Sequence, residues 1–312
     1  MSELKRTKPR LLITGGSGFL AVNWACAVRA DWEVVLATHR HHVTLEGVTS
    51  RPVSLEDEAA LASAVREIAP DVVVHTAGLT DVDRCQAEPA LATLANATLA
   101  RNVARAAVRH GAGLVHISTD HLFTGEQPLV TEDTPTQPLN EYAVSKRLAE
   151  QWVGEEAPGA LIVRTNFFGW GHRTRRSFSD WLIDSLRAHR ELSLFDDVHF
   201  TPILADRVAS SAHALLACEA SGIFHVCGDE RISKYAFALQ LADEFGLPRD
   251  LIRRASMAGA GLRAPRPNDM SLSNAKLRAA LGRGPVSVRD DLRSLHAQEP
   301  TRQPELFGAV TA

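Results

Sequence analysis

Residues 10–21 read RLLITGGSGFLA, and this stretch decides the fold. An apolar run typical of a strand leads directly into a GxxGxxA pattern at Gly15, Gly18 and Ala21, ahead of a helical pattern. Glycines allow a tight turn, and the N-terminus of a helix offers unpaired N–H groups to a pyrophosphate. An ordinary turn would also fit a glycine motif, but its place between strand and helix favours a dinucleotide site. The cofactor contacts expected here are Gly15, Ser17, Gly18, Phe19 and Leu20.

The rest of the first half alternates short strand-like runs with longer helical patterns. Strands are predicted at residues 10–14, 33–38, 71–75, 113–119 and 160–165, and helices at 55–68 and 89–110. Several runs are apolar throughout, as in DVVVH and LIVRT, which indicates strands covered on both faces. The pattern predicts an α/β protein with a doubly wound parallel sheet, that is, an NAD(P)-binding Rossmann fold.

The rhythm changes after about residue 165, where Gly, Arg and Ser cluster in FGWGHRTRRS. We expect a Rossmann domain over residues 1–165, with strand and helix contributions from about 203–245. A smaller C-terminal substrate lobe is expected from 166–202 and 246–300. Residues 301–312 are predicted to form a loosely held tail.

The composition is that of a globular protein, with 45% apolar and 23% charged residues among 312 and a formal net charge of −3. This balance does not favour nucleic acid or a membrane as a partner, so an anionic ligand must meet a local site. The four cysteines form no CxxC pair, which predicts reduced thiols and no metal site. The start MSELKRTKPR is followed by only LLI, too short for a signal sequence or membrane span, so a cytoplasmic location is expected.

The run THRHH at residues 38–42, after the second predicted strand, bears on the choice of cofactor. A Rossmann domain that prefers NAD usually has Asp or Glu here to bind the ribose 2′-hydroxyl. His39 and Arg40 stand here instead, and basic side chains favour the 2′-phosphate, so NADPH is expected. A solvated basic loop is the alternative. A metal site is less plausible, since adjacent histidines rarely converge on one ion and no acidic or thiol partner is evident.

Tyr142 and Lys146 form a YxxxK pattern, whose spacing puts both side chains on one face of a helix. A nearby ammonium favours a phenolate, so we expect Lys146 to lower the pKa of Tyr142 and prepare it for proton transfer to a developing alkoxide. Ser118 and Thr119 come at the end of a predicted strand, at the carboxyl edge where ligands of open α/β sheets bind. A hydroxyl there can hydrogen-bond a reacting carbonyl, or it can merely end the strand.

Four further strings carry a resemblance to a known family: HTAGLTDVDRCQAEP with the following Asn96, STDHLFTG, PTQPLNEYAVSK and PRPNDMSLSNAKL. With the glycine motif and YxxxK, they resemble the extended short-chain dehydrogenase/reductases, and more closely the dTDP-4-dehydrorhamnose reductase group. The likeness covers residues 14 to about 281.

The resemblance implies that Thr119, rather than Ser118, is the active hydroxyl. The implied catalytic set is then Thr119, Tyr142 and Lys146. The further cofactor contacts that it implies are Ala77 and Gly78. Substrate contacts are expected at Thr80, Val82, Thr119, Asp120, His121, Phe167 and Arg176.

The sequence departs from the family pattern at several positions. Phe167 stands where the family commonly has Trp, which bears on sugar stacking. His121 replaces the usual Tyr of STDYVF, and His75 begins a segment usually written NAAA, differences that point to a changed sugar. Ser54 replaces an Asp that commonly contacts adenine in the superfamily.

These residues predict the NADPH-dependent reduction of a ketone on a nucleotide-linked deoxysugar. Arg173, Arg175 and Arg176 could neutralise the sugar's diphosphate, with surface solvation as the alternative. One rival is a non-catalytic NADP-binding regulatory subunit, since the beta subunit of methionine adenosyltransferase resembles the same reductases. Another is a nucleotide-sugar epimerase or dehydratase, although a dehydratase usually has Asp and Glu after the catalytic hydroxyl, whereas His121 follows Asp120 here. A homodimer is expected by family analogy.

Overall fold

The computed structural model describes residues 8–311, in which strands and helices alternate. The strands are β1 Arg10–Thr14, β2 Glu33–Thr38, β3 His42–Val43, β4 Val48–Pro52, β5 Val72–His75, β6 Gly113–Ile117, β7 Leu161–Arg164, β8 Phe167–Phe168, β9 Leu192–Phe195, β10 His199–Phe200, β11 Ile203–Leu204, β12 Gly222–His225, β13 Ile232–Ser233, β14 Ile252–Ala255 and β15 Val310–Thr311. The helices are α1 Phe19–Val28, α2 Glu58–Ile68, α3 Val82–Ala87, α4 Pro89–Thr93, α5 Leu99–Arg109, α6 Glu141–Glu156, α7 Phe178–Arg187, α8 Ala205–Ala217, α9 Lys234–Glu244, α10 Ala275–Leu281, α11 Val288–Ala297 and α12 Arg302–Ala309.

Seven strands form one parallel sheet in the order β12-β7-β6-β5-β1-β2-β4. The chain builds outward from β1 to β2 and β4, then returns to the other side of β1 with β5. Because the direction of winding reverses there, the loops after β1 and β5 leave a crevice at the carboxyl edge of the sheet. The predicted α/β fold with a doubly wound parallel sheet is confirmed.

Helices cover both faces of this sheet. On one face, α2, α5 and α6 pack their apolar side chains against the strands, with Leu61, Val103 and Val153 fully buried. On the other face, α1 lies against α8 and buries Trp24 and Leu215. The strands between these layers are apolar because both of their faces are removed from water.

The five strands predicted from the sequence are β1, β2, β5, β6 and β7, with small differences at their ends. The strand predicted over 113–119 ends at Ile117, which leaves the two hydroxyl residues in the loop beyond it. The helix predicted over 55–68 begins at Glu58, because the Asp57 carboxylate accepts backbone N–H groups of the first turn. The pattern does not predict β4, whose sequence VTSRP lacks an apolar run.

The helix predicted over 89–110 is interrupted by a π-helical turn, Leu94–Thr98. This turn contains Asn96, whose side chain accepts from the N–H of Leu79 at 2.7 Å and donates to its carbonyl at 3.1 Å. A second donor bond, of 2.9 Å, reaches Ser145 on α6. The turn thus fixes the loop after β5, as π-bulges often do near functional sites.

The expectation of a loosely held tail at 301–312 is wrong for the residues up to 311. Leu306 on α12 is fully buried, and Val310 in β15 is 2% exposed. β15 pairs antiparallel with β3, placing Val310 opposite Val43. Apolar burial and strand pairing hold this segment, and residue 312 lies outside the described part of the chain.

Beyond β7 the chain forms three short strand pairs, β8 with β11, β9 with β14 and β10 with β13. Between β11 and β13 it returns to the central sheet through α8 and β12. The division into a dinucleotide-binding domain and a substrate lobe near residue 165 stays a prediction. Among the helices of residues 8–311, none combines the length and apolar character needed to cross a bilayer.

Candidate active site

A cleft of about 650 Å³ opens at the carboxyl edge of the sheet, beside β1, β5 and β6. The predicted site residues that line it are Gly15, Ser17, Gly18, Phe19, Leu20, His39, Ala77, Gly78, Thr80, Val82, Thr119, Asp120, His121, Tyr142, Lys146, Phe167 and Arg176. Arg40 is the exception, because its side chain is exposed and outside the lining. The fold therefore gathers residues from many separate stretches into one crevice.

The glycine-rich loop between β1 and α1 lies very close to the loop after β5. Gly15 has a φ of +71°, and a Cβ at this position would lie 2.7 Å from the backbone of Ala77. The N–H of Gly18 donates to the Gly15 carbonyl at 2.7 Å, which closes the turn. α1 then begins with no side-chain cap and no acidic residue in its first turn. Its first N–H groups are therefore available to an anion such as a pyrophosphate.

A second pocket of about 150 Å³ adjoins the glycine loop at the end of β2. Its walls include the apolar side chains of Val53, Leu55 and Leu99, together with Ser54. A small, mostly apolar slot beside a phosphate-binding loop suits an adenine ring. His39 borders both this pocket and the main cleft, so the THRHH run begins where a dinucleotide's adenosine half would lie.

The YxxxK residues lie on the buried face of α6. Asn140 caps this helix by accepting the N–H of Ala143 at 2.9 Å. Tyr142 and Lys146, one turn apart, are 8% and 6% exposed. The Lys146 ammonium donates to the Ile117 carbonyl at 2.6 Å, which ties α6 to the end of β6.

The two neighbouring hydroxyls after β6 have different partners. Ser118 donates to the buried carboxylate of Glu150 at 2.6 Å. The same carboxylate takes two bonds from Arg164, at 2.9 and 2.8 Å, so Ser118 belongs to a buried ion-pair network. Thr119 lines the cleft, and its hydrogen bond to Tyr142 lowers the pKa of that phenol. Ser118 borders the same cleft, but its hydroxyl is committed to Glu150, so the geometry favours Thr119 as the hydroxyl that meets a ligand.

The charge states of the YxxxK pair differ from the expectation. Burial raises the pKa of Tyr142, and the hydrogen bond from Thr119 offsets only part of the rise. Burial lowers the pKa of Lys146 to about 8, although the Glu150 carboxylate favours the ammonium. The expectation that Lys146 lowers the pKa of Tyr142 is wrong here, because the ammonium bonds the Ile117 carbonyl and desolvation dominates at the phenol. Tyr142 is therefore a neutral phenol at neutral pH.

Asp120, Asn166 and His121 form the buried side of the cleft, next to Tyr142. The Asn166 amide donates to Asp120 Oδ2 at 2.5 Å, and the Thr119 hydroxyl lies 3.3 Å from Oδ1. The His121 ring meets the Tyr142 ring edge-on, with centroids 5.6 Å apart. Burial lowers the pKa of His121, so this imidazole is neutral at neutral pH. A carboxylate, an amide and an imidazole thus line this side of the cleft, with the imidazole packed against the phenol.

The arginine-rich loop after β8 reaches the exposed side of the cleft. Arg175 donates to the Thr80 hydroxyl, which joins this loop to the one after β5. Arg176 also lines the cleft and pairs with two aspartates of α7. Arg173 does not line it, and its guanidinium lies 5.3 Å from the ring centroid of Phe307 on α12. Two of the three predicted arginines are therefore placed to meet a ligand.

The sequence interpretation misses several residues of the cleft, among them the buried His172. Its ring lies 3.1 Å from the Thr174 hydroxyl, and a contact with the Ser17 backbone brings it to the glycine loop. Burial lowers the pKa of His172 to about 4. Asn166 and Phe178 also line the cleft. No local pattern marks these residues, because only the fold brings their loops to the dinucleotide side.

Comparison with known proteins now identifies the family. A family model described as "RmlD substrate binding domain" matches residues 9–299. The chain belongs to the RmlD family. It is 31% identical over 274 residues to the dTDP-4-dehydrorhamnose reductase of Mycobacterium tuberculosis, covering 85% of each chain. It is also 28% identical over 279 residues to the methionine adenosyltransferase 2 subunit beta of Xenopus laevis, covering 86% of this chain and 81% of that one.

A solved structure of a related reductase has the same overall fold as this chain. The crystal structure of dTDP-4-dehydrorhamnose reductase from Bacillus anthracis, in complex with NADP, matches with a TM-score of 0.84 and 25% sequence identity. The match covers 94% of this chain and 100% of that one. The similarity therefore extends beyond the central sheet to the strands and helices that complete the cleft.

Proposed function

We propose that this protein uses NADPH to reduce a keto group on a nucleotide-linked deoxysugar, the reaction for which its dTDP-4-dehydrorhamnose reductase relatives are named. The observation that carries the proposal is the convergence of Thr119, Tyr142 and Lys146 in one cleft with a glycine loop that fits a dinucleotide. Ketone reduction needs a proton donor and a hydrogen-bond donor for the carbonyl oxygen, both beside the cofactor.

The residues present suit NADP, which supplies the hydride when it is bound. Gly15, Ser17 and Gly18 would hold its pyrophosphate with the free N–H groups of α1. Lys146 of α6, whose ammonium lies at the end of β6, would hold the nicotinamide ribose. His39 and Arg40 favour NADP over NAD, since basic side chains attract the 2′-phosphate and residues 38–42 hold no Asp or Glu to bind the ribose 2′-hydroxyl of NAD.

Tyr142 is the proton donor to the substrate's carbonyl oxygen. Its raised pKa suits reduction, because the phenol keeps its proton until a more basic alkoxide develops beside it. Thr119, bonded to the same phenol, would hydrogen-bond that oxygen and orient it. Arg175 and Arg176, on the exposed side of the cleft, would neutralise the diphosphate of the substrate.

A non-catalytic NADP-binding regulatory subunit is the second candidate. It is favoured by the similarity to the methionine adenosyltransferase subunit, which covers 86% of this chain. Both functions need the same dinucleotide site, so turnover separates them. An epimerase or dehydratase is less favoured, because His121 follows Asp120 and its ring packs against Tyr142, where a dehydratase would carry a second carboxylate.

The deciding experiment incubates the protein with NADPH and a panel of 4-keto dTDP-sugars and follows the loss of NADPH absorbance. Replacing Tyr142→Phe should lower kcat by about 100-fold or more, the usual contribution of a general acid, while NADPH binding is kept. Tyr235→Phe is the matched control, because Tyr235, the chain's other tyrosine, lies on α9 and packs under Arg254 of β14. Its kcat should equal that of the unchanged protein.

Tight NADPH binding without oxidation by any keto-sugar would replace this proposal with the regulatory one. NADH supporting turnover as well as NADPH would contradict the cofactor preference alone. The homodimer and the cytoplasmic location stay predictions from the sequence.

A further inference from the structure

Lys234, the first residue of α9, carries a charge that has no hydrogen-bond partner among residues 8–311. Its backbone N–H donates to the Val198 carbonyl at 3.0 Å, which fixes where the side chain starts. The ammonium lies 3.3 Å from the ring centroid of Phe200 and 5.0 Å from that of Phe178. Within residues 8–311 the ammonium makes these two ring contacts and forms no hydrogen bond or ion pair with a carboxylate or carbonyl oxygen.

A second lysine shows what a satisfied ammonium looks like in the same protein. Lys276 also lies over an aromatic ring, 4.3 Å from the centroid of Phe224, but its ammonium donates to the Ile223 carbonyl at 2.7 Å. Aromatic faces replace only part of the hydration that a cation loses on burial. Lys276 is exposed and uses one of its three donors on a carbonyl, whereas the less exposed Lys234 ammonium uses none on the protein.

Lys234 is outside the lining of the cleft, but it lies behind a residue that lines it. Phe178, whose ring it contacts, lines the cleft, as do Asp120 and His121. The charge of Lys234 lowers the pKa of His121, and the Asp120 carboxylate in turn favours the ammonium. Burial nevertheless lowers the pKa of Lys234 to about 8, so the ammonium predominates at neutral pH. Its free donors are therefore close to the buried side of the site, where Tyr142 acts.

The neighbouring carboxylate decides which ligand group fits. Asp120 and Lys234 are close enough for their charges to interact, yet they do not bond each other directly. A phosphate placed between them would gain from the ammonium but be repelled by the carboxylate. A sugar hydroxyl suits both, because it can accept from the ammonium and donate to the carboxylate.

We propose that Lys234 is a substrate-binding residue that donates a hydrogen bond to a hydroxyl of the sugar, an inference that rests on the proposed function. Arg175 and Arg176 take the diphosphate on the exposed side, and Lys234 recognises the sugar on the buried side. Recognition of the two halves of the substrate is thereby divided between different elements.

The test compares two ligands that differ only in the sugar. With NADP⁺ saturating, calorimetry measures the Kd of dTDP and of dTDP-glucose for the unchanged protein, Lys234→Met and Lys276→Met. Lys234→Met should raise the Kd for dTDP-glucose by about tenfold or more, as expected for the loss of a hydrogen bond to a charged group. The Kd for dTDP should be unchanged. In turnover, the KM for the keto-sugar should rise similarly, with the KM for NADPH unchanged. Lys276→Met should alter neither ligand.

Three results would overturn the inference. Equal weakening of dTDP and dTDP-glucose would assign Lys234 to the diphosphate. A lower Tm with both affinities unchanged would assign it to packing on Phe200. If the unchanged protein binds and reduces a nucleotide sugar and Lys234→Met does so with the same KM, only this inference fails. If the unchanged protein binds no nucleotide sugar, the proposed function fails as well.

Discussion

Glu150 links the residues behind the active site into one buried hydrogen-bonded group. Its carboxylate takes the Ser118 hydroxyl and a two-pronged bond from the Arg164 guanidinium, and both charged side chains are almost inaccessible to water. The Arg164 guanidinium also lies 5.5 Å from the ring centroid of Phe123. The sequence shows only hydroxyls after a strand and a glutamate on a helix. The structure adds that the Ser118 hydroxyl is donated to Glu150, which leaves Thr119 as the better-placed hydroxyl for a ligand.

Replacing Glu150→Leu should lower the free energy of unfolding by about 3–5 kcal/mol, because it leaves the Arg164 charge buried and unpaired. Urea denaturation at pH 7 measures the change. Glu88→Leu is the control, since Glu88 pairs with Arg84 on the surface and both are about half exposed, a kind of pair worth about 1 kcal/mol or less. A loss at Glu150 no larger than at Glu88 would contradict the structural role given to this pair.

The glycine loop is the element on which dinucleotide binding depends. Comparing Gly15 in this loop with Gly47, between β3 and β4, separates the effect of a positive φ from the effect of a close approach to another loop. Both have positive φ, +71° and +69°, but a Cβ would lie 2.7 Å from the Ala77 backbone at Gly15 and within 4 Å of nothing at Gly47. Gly47→Ala should therefore cost only the left-handed conformation, about 1–2 kcal/mol. Gly15→Ala should cost more and abolish NADP binding, because the loops after β1 and β5 must move apart.

Urea denaturation and titration with NADP measure these two effects. The Gly47→Ala protein should bind NADP with an unchanged Kd. If both variants bind NADP normally and lose equal stability, the close approach of the two loops does not constrain the site.

Elements with a signal in their own residues are the ones that the sequence predicts. β1 and β5 carry unbroken apolar runs, and the spacing of Tyr142 and Lys146 places them together without any knowledge of the fold. β4 carries no such run, because an edge strand needs less apolar surface. His172 and Lys234 escape prediction for another reason: their importance comes from contacts with residues far away in the chain.

At the scale of the whole molecule, buried histidines make the fold sensitive to acid. Burial lowers the pKa of His75 and of His225 to about 3 and that of His172 to about 4, whereas the unfolded value is about 6.5. Between these values the unfolded chain binds more protons, so the free energy of unfolding should fall as the pH decreases below about 6.5. Burial raises the pKa of Asp206, and that of Asp291 to about 6; these carboxyls act in the opposite direction but are two groups against three histidines.

The histidine contribution can be isolated by replacing His75→Asn. Between pH 6 and 4 the slope of the free energy of unfolding against pH should decrease by about 1.4 kcal/mol per pH unit, the effect of one proton. Urea denaturation across this range gives the slopes, and His189→Asn, at an exposed position, is the control. A slope unchanged by His75→Asn would show that this imidazole takes up its proton in the folded protein too.

The antiparallel pairing of β15 with β3 has a practical consequence for redesign of cofactor preference. The loop of residues 38–42 that is expected to face the 2′-phosphate runs directly into β3, whose residues His42 and Val43 are held opposite Thr311 and Val310. Grafting a loop of different length from an NAD-dependent enzyme would shift this register and expose apolar surface of α12. Libraries aimed at coenzyme choice should therefore keep the loop length, randomise residues 39–41 and leave the pairing of His42 and Val43 with Thr311 and Val310 unchanged.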